Sequence, residues 1–257
     1  MFGFVNNWLK DAVLEVQEYV RLCVATARGA TSRPFYYRDL IQQLDQIGWG
    51  SLTVVILTGL FTGAVLALQG GMTLDQFGAR PFVGRLVSAS MVKELGPVLT
   101  ALMLTSRVGS AIAAELGSMA VAEQVNALRA LGTDPVRKLV VPRVLAGTLM
   151  CPILTTVSAC LGVVGGWLIA VFQLRVASGV YWTSVLDGLY RQDPWMGLIK
   201  ALVLGFAIVS IACHVGLRTR GGTQGVGRAV TSAVVVASVT VLAADFFITR
   251  LLITLLY

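Results

Sequence analysis

Few side chains in this sequence can do acid–base or electrostatic chemistry, and several of those few stand inside long apolar stretches. Lys93 and Glu94 are neighbours in Met91-Val92-Lys93-Glu94-Leu95, Lys200 follows Leu198-Ile199, and Asp245 sits in Ala243-Ala244-Asp245-Phe246. An ionisable group in apolar surroundings is costly to keep from water, so each is a candidate functional residue. Two lysines and one carboxylate near one end of their stretches would suit the anionic head group of an amphiphile. An internal salt bridge, or Lys200 extending its stem to the interface, accounts for them equally well. Asp245 has no partner visible in sequence. It could join a proton relay or pair with a neighbouring helix, and the pairing is favoured because relays need several such groups. Arg107 and Glu115, two helical turns apart, read as ties between helices or as an anchor for an inner-leaflet head group.

The same inventory argues against catalysis. His214 is the only histidine, which rules out bis-histidine haem and any multi-histidine zinc site. Cys23, Cys151, Cys160 and Cys213 show no C-x-x-C spacing, and three lie in apolar runs, so they read as small buried hydrophobes. No metal site and no catalytic residue is expected. There is no G-x-x-x-x-G-K-[ST] loop, and the glycine-rich run from Gly221 to Gly227 lacks both a preceding strand and a lysine. That run reads as a flexible turn. Without a G-x-S-x-G elbow, Ser106 and Ser110 read as helix-packing residues.

The elements that carry these residues must be membrane helices. Of the 257 residues, 56% are hydrophobic and only 13% charged, and mean hydropathy is +0.79. A soluble domain carries roughly 25% charged residues, so too few polar side chains remain to cover a water-soluble body. Five apolar stretches, at about 47–69, 86–114, 144–172, 195–217 and 229–257, are each long enough to cross a hydrocarbon core that needs ~20 residues. Twelve of the twenty Lys and Arg residues fall before the first stretch or in the second-to-third and fourth-to-fifth connections. The positive-inside rule then predicts a cytoplasmic N-terminus and an outward C-terminus. It also accounts for the net charge of +7 without nucleic acid.

Ahead of the spans, Val5, Trp8, Leu9, Ala12, Val13, Val16, Val20, Cys23, Val24 and Ala27 step by three and four, opposite Asn7, Lys10, Asp11, Glu15, Glu18 and Arg21. This predicts a helix lying in the membrane interface, although the pattern would also serve a helix packed on a soluble partner. With its acidic residues and no continuous apolar run, the segment does not resemble a cleavable signal. Gly59, Gly63 and Ala67 form a small-residue stripe on the first span, and Gly109, Ala113 and Gly117 another on the second. Such stripes let helices approach closely within a subunit or across a dimer. Gln69 ends the first stripe at its outer end. Between the second and third spans a short amphipathic helix is predicted from about Ala120 to Leu131, stopped by Gly132. Its cytoplasmic position suits docking into another protein's groove. The expected organisation is one domain, residues 1–257, comprising an interfacial segment (1–45) and a five-span bundle (46–257) with that cytoplasmic helix.

Long ordered motifs in this chain resemble the MlaE/YrbE family, permease subunits of ABC transporters that move lipids with MCE proteins. The resemblance rests on Gly63-Ala64-Val65-Leu66-Ala67-Leu68-Gln69-Gly70, Lys93-Glu94-Leu95-Gly96-Pro97-Val98-Leu99-Thr100-Ala101-Leu102 and the run from Arg107 to Gly117. It continues through Glu123-Gln124, Ala127-Leu128, Gly132-Thr133-Asp134-Pro135 and Val141-Pro142-Arg143. Residues 60–145 are densely covered, and the five-span layout extends the match over most of the chain.

The resemblance implies an all-α membrane protein: an interfacial N-terminal helix plus five transmembrane helices, working as a homodimeric permease. It implies a bacterial inner-membrane location, a pair of cytoplasmic ABC ATPases, a STAS-type accessory protein and an outer ring of MCE-domain proteins, with glycerophospholipid as cargo. The chain itself would need no cofactor, ATP and magnesium belonging to the ATPase. By motif, lipid contact carries onto Gln69, Lys93 and Glu94, and less closely onto Lys200. Lysine stands at 93 where some members have arginine, which keeps the charge and loses the two-pronged geometry. ATPase coupling carries onto the 120–131 helix and its surroundings, at Glu123, Gln124, Leu128, Arg129 and Asp134. The competing readings are a proton-coupled secondary transporter using Asp245, Glu94 and Lys200, a permease for sterol or other apolar cargo, and a membrane scaffold without transport.

Overall fold

The computed structural model describes residues 2–31 and 36–256, and among these the ordered elements are all helical. α1 spans Phe2–Thr31. The five membrane-length helices are α2 (Tyr37–Asp75), α3 (Arg80–Val121), α5 (Val136–Phe172), α7 (Asp193–Leu217) and α8 (Gly222–Leu256). Two short helices, α4 (Gln124–Ala130) and α6 (Ser178–Asp187), lie in the connections. The chain is an all-α membrane protein. Each spanning helix extends beyond its apolar stretch, because backbone hydrogen bonds continue the helix into polar sequence once the span has nucleated it.

Small residues set the packing. The buried positions of α2 include Gly59, Gly63 and Ala67, and the two glycines face α5. A β-carbon at Gly63 would overlap the Gly162 carbonyl oxygen, so the two backbones touch directly. Gly48 lies against Met150 and Gly71 against Leu174, which makes α2 and α5 parallel neighbours. The second stripe packs α3 on α7: Gly109 faces Ile208, and Ala113 lies against Gly216. Both stripes are thus spent within the subunit. α7 is the most enclosed span and α8 the least, with Val235, Val239, Leu242 and Phe246 on its outer face exposed.

Two apolar cores result. The larger joins α2, α3, α5 and α7 through residues such as Val55, Leu104, Leu154 and Leu204. The smaller, at the end where α2 passes to α3, is capped by α6, whose fully buried Tyr181 donates its hydroxyl to the Val163 carbonyl at 2.9 Å. Burial raises that phenol's pKa, so it stays a donor.

Three stretches wind wider than an α-helix. Met91–Leu95 and Thr105–Gly109 in α3, and Val136–Val140 at the start of α5, are π-helical turns. A π-turn inserts one residue and re-aims the side chains around it. Here the first holds Lys93 and Glu94, and the second holds Arg107.

α1 meets the bundle through Tyr19, whose hydroxyl lies 2.8 Å from the Ser210 hydroxyl and whose ring stands edge-on to His214. Burial pushes the Tyr19 phenol up to about 12. Val13, Val16, Val20 and Val24 stay exposed on the face turned away from the bundle, as an interfacial helix requires. The side chains of Val5, Asn7, Trp8, Leu9, Asp11 and Ala12, which begin the expected apolar and polar faces, lie outside the described residues, as does Arg33. Of the cysteines, Cys151 and Cys213 are buried, but Cys160 is exposed and Cys23 only half-buried. For these two the expectation of burial fails, because an apolar face toward lipid needs no protein cover.

Candidate functional site: an intramembrane charge cluster

The π-turn at Met91–Leu95 points two adjacent charges in different directions. Glu94 turns toward α7 and α8. Its carboxylate accepts from Lys200 at 2.5 Å, and the Thr249 hydroxyl lies 3.5 Å away. Lys200 also reaches the Asp245 carboxylate at 3.2 Å. One ammonium thus bridges carboxylates from α3 and α8. Lys200 is 0% exposed, so it does not extend to the interface. Two carboxylates flank this buried side chain and offset its loss of water. Asp245 therefore does pair with a neighbouring helix. Glu94 remains 41% exposed at the mouth of a cleft of about 420 Å³, which Asp245, Phe246, Thr249 and Arg250 also line.

Lys93 turns the other way, to the Asp193 carboxylate at 3.0 Å and over the Tyr190 ring at 5.5 Å. Asp193 is fully buried and also accepts from the Tyr190 backbone N–H at 3.0 Å. Gln69 is exposed on α2, a helix that packs on α5 and α3 rather than on α7 or α8. The structure therefore brings Glu94 and Lys200 together, sets Lys93 in a separate pair and leaves Gln69 apart. An apolar cavity of about 440 Å³ between α3, α5, α6 and α7 is lined by no ionisable side chain except the thiol of Cys160.

At the opposite end of α3 the charges act mainly as ties. Glu115 accepts from the buried Arg143 guanidinium at 2.7 Å, and Arg143 also donates to the Leu139 carbonyl at 2.7 Å. Arg107 donates to the Ser51 hydroxyl on α2 at 2.7 Å.

The connecting helix is shorter than 120–131. α3 runs on to Val121, and Glu123 adopts a left-handed conformation (φ 58°) that breaks the path before α4 begins at Gln124. The expected stop is present, with Gly132 at φ 74°, a conformation glycine reaches without penalty. Glu123, Gln124 and Arg129 are exposed, while Leu128 packs partly on the core. Glu123 accepts from the Asn126 amide. Asp134 receives the Val136 backbone N–H at 3.0 Å and pairs with Arg137 at 3.4 Å. Beside α4, a polar cleft of about 550 Å³ brings Arg129 near Arg218, which pairs with Glu18 of α1 at 3.0 Å.

Sequence reasoning missed Asp193, Thr249, Ser51, the Tyr19–Ser210 bond and all three π-turns. A count of charges would have pointed to Asp193: beside Lys93 and Lys200 stand three carboxylates, Glu94, Asp193 and Asp245, not one. The π-turns leave no pattern in residue type.

The family model for permease MlaE matches residues 40–251. A probable ABC transporter permease protein of Rickettsia bellii is 44% identical over 254 residues, covering 98% of each chain. The intermembrane phospholipid transport system permease protein MlaE of Haemophilus influenzae is 37% identical over 214 residues, 83% of this chain and 82% of that one. A chloroplast protein of Arabidopsis thaliana, TRIGALACTOSYLDIACYLGLYCEROL 1, is 36% identical over 215 residues, 82% of this chain and 60% of its own length.

Proposed function

Because the chain belongs to the MlaE permease family, we propose that it is the membrane subunit through which a separate cytoplasmic ATPase drives glycerophospholipid between a bacterial inner membrane and an extracytoplasmic MCE protein. In this reading two copies form the permease, a STAS-type protein attends the ATPase, and ATP and magnesium stay on the ATPase. The N-terminus lies in the cytoplasm and the C-terminus in the periplasm. The lipid head group meets Glu94 and Lys93 in the outer half, with Gln69 at the rim and Lys200 holding Glu94 from behind. Glu123, Gln124, Leu128, Arg129 and Asp134 receive the mechanical stroke.

The observation that carries this reading is the half-exposed Glu94 carboxylate, locked to a buried lysine on one side and open to a membrane-level cleft on the other. Such a group is held rigidly and still reaches a ligand. The test is reconstitution with the ATPase and MCE partners in vesicles. Replacing Lys93 and Glu94 with alanine is expected to abolish lipid exchange while the complex still assembles. Unchanged exchange refutes the site.

The buried Lys200 between two carboxylates also suits proton-coupled transport. That alternative requires transport by this chain alone under a pH gradient, which the same vesicles without ATPase measure.

A further inference from the structure

Three cations inside the bundle are paired with carboxylates, and Arg107 is not. Lys93 has Asp193, Lys200 has Glu94 and Asp245, and Arg143 has Glu115. Among the described residues no carboxylate pairs with Arg107, whose guanidinium is held by the neutral Ser51 hydroxyl. Glu115 lines the same cleft, but its charge is engaged by Arg143.

The surroundings place and aim this guanidinium. The π-turn at Thr105–Gly109 carries it, and Gly50 lies beneath it: a β-carbon at Gly50 would stand 2.7 Å from Arg107 Nη2. The absence of a side chain there lets the guanidinium lie on the α2 backbone. The group opens into a cleft of about 350 Å³ lined also by Gln43, Gln46 and Ile47, two amides that can donate hydrogen bonds. Its level is set by Ser51, close to where the first apolar stretch begins at about 47, and by Trp49, which is 77% exposed as an interfacial aromatic would be. On the orientation proposed above, this is the inner boundary between hydrocarbon and head groups. A guanidinium with spare donors at that level matches a phosphate, which it can grip with two parallel bonds.

We infer that Arg107, with Gln43 and Gln46, forms a phosphate site at the cytoplasmic boundary of the bundle, whose ligand is the phosphodiester of an inner-leaflet lipid. The site is separate from the outer Glu94 cleft, and its assignment to a lipid rests on the permease reading.

The experiment is native mass spectrometry of the purified full chain in detergent, titrated with phosphatidylglycerol, with diacylglycerol as the phosphate-free probe and inorganic phosphate as competitor. Wild type is expected to bind phosphatidylglycerol and to ignore diacylglycerol. Arg107→Gln is expected to weaken binding at least about tenfold, the loss of charge-assisted hydrogen bonds, with Arg107→Lys intermediate. Gly50→Ala, which displaces the guanidinium without removing it, should also weaken binding and carries the test if Arg107→Gln does not fold. Binding that survives excess inorganic phosphate assigns the lipid; binding that the ion displaces assigns a free phosphate to the same residues. If Arg107→Gln and Gly50→Ala bind phosphatidylglycerol like wild type, or diacylglycerol binds equally well, the inference is wrong. Wild-type exchange in the reconstituted complex stands apart from this result, so either can fail without the other.

Discussion

The two ends of α3 use the same residue types for different purposes. Near the N-terminal end of α3, Lys93 and Lys200 are each clamped by carboxylates from other elements, and Lys200 has no contact with solvent. Toward the C-terminal end of α3, Arg143 is clamped in the same way, but Arg107 is held by a hydroxyl and left facing a cleft. Type and depth alone do not decide what an intramembrane charge does. The balance of opposite charges around it does, and that balance is a property of the packed bundle.

This contrast can be broken at the clamped end first. Lys200→Met should destabilise the bundle by about 3–5 kcal/mol, because Glu94 and Asp245 are left as uncompensated charges. Thermal unfolding in detergent measures the loss, and adding Glu94→Gln and Asp245→Asn should restore most of it. A single mutant as stable as wild type would show that the cluster is not a clamp. A backbone contact comes next. Gly63→Val should cost about 1–3 kcal/mol by forcing α2 away from Gly162, and the same unfolding assay detects it.

The smallest effect belongs to the docking of α1. Arg218→Ala removes an ion pair whose side chains are about half exposed, and should change stability by less than about 1 kcal/mol, vanishing at high salt. Tyr19 adds a pH signature. Its folded pKa of about 12 lies above the ordinary value of 10.0, so its stabilising contribution is full below pH 10.0 and is lost as pH rises toward 12. Proteolytic release of α1 should increase across that window in wild type and lose that dependence in Tyr19→Phe.

Much of this molecule was legible in sequence. Five spans, the N-terminal interfacial helix and the Gly132 stop follow from hydropathy, periodicity and glycine chemistry, which act locally. The small-residue stripes were also readable, though not that both close on helices of the same subunit. The pairing of Asp245 with a neighbouring helix was favoured because a proton relay needs several such groups. What sequence could not supply was direction. Lys93 and Glu94 are adjacent, yet a π-turn sends them to different partners, and Asp193 becomes a partner only through the folding of the connection after α6. Likewise, the left-handed Glu123 cuts the expected helix short for a reason that residue type does not carry.

The clamp around Lys200 also constrains how the protein is made. Its members come from α3, α7 and α8, so they leave the ribosome far apart in time, with Asp245 last. A single charge on a lone helix opposes insertion, by up to roughly 2.5–3.5 kcal/mol on translocon scales where it stands at the helix centre. Glu94 must therefore enter the bilayer region before Lys200 exists, and Lys200 before Asp245. Early spans need to stay beside the insertion machinery, or beside one another, until the final helix arrives to balance them. A ribosome that stalls before α8 would leave in the membrane a chain with an exposed Glu94–Lys200 pair, a form that quality-control proteases could recognise by its unfinished charge.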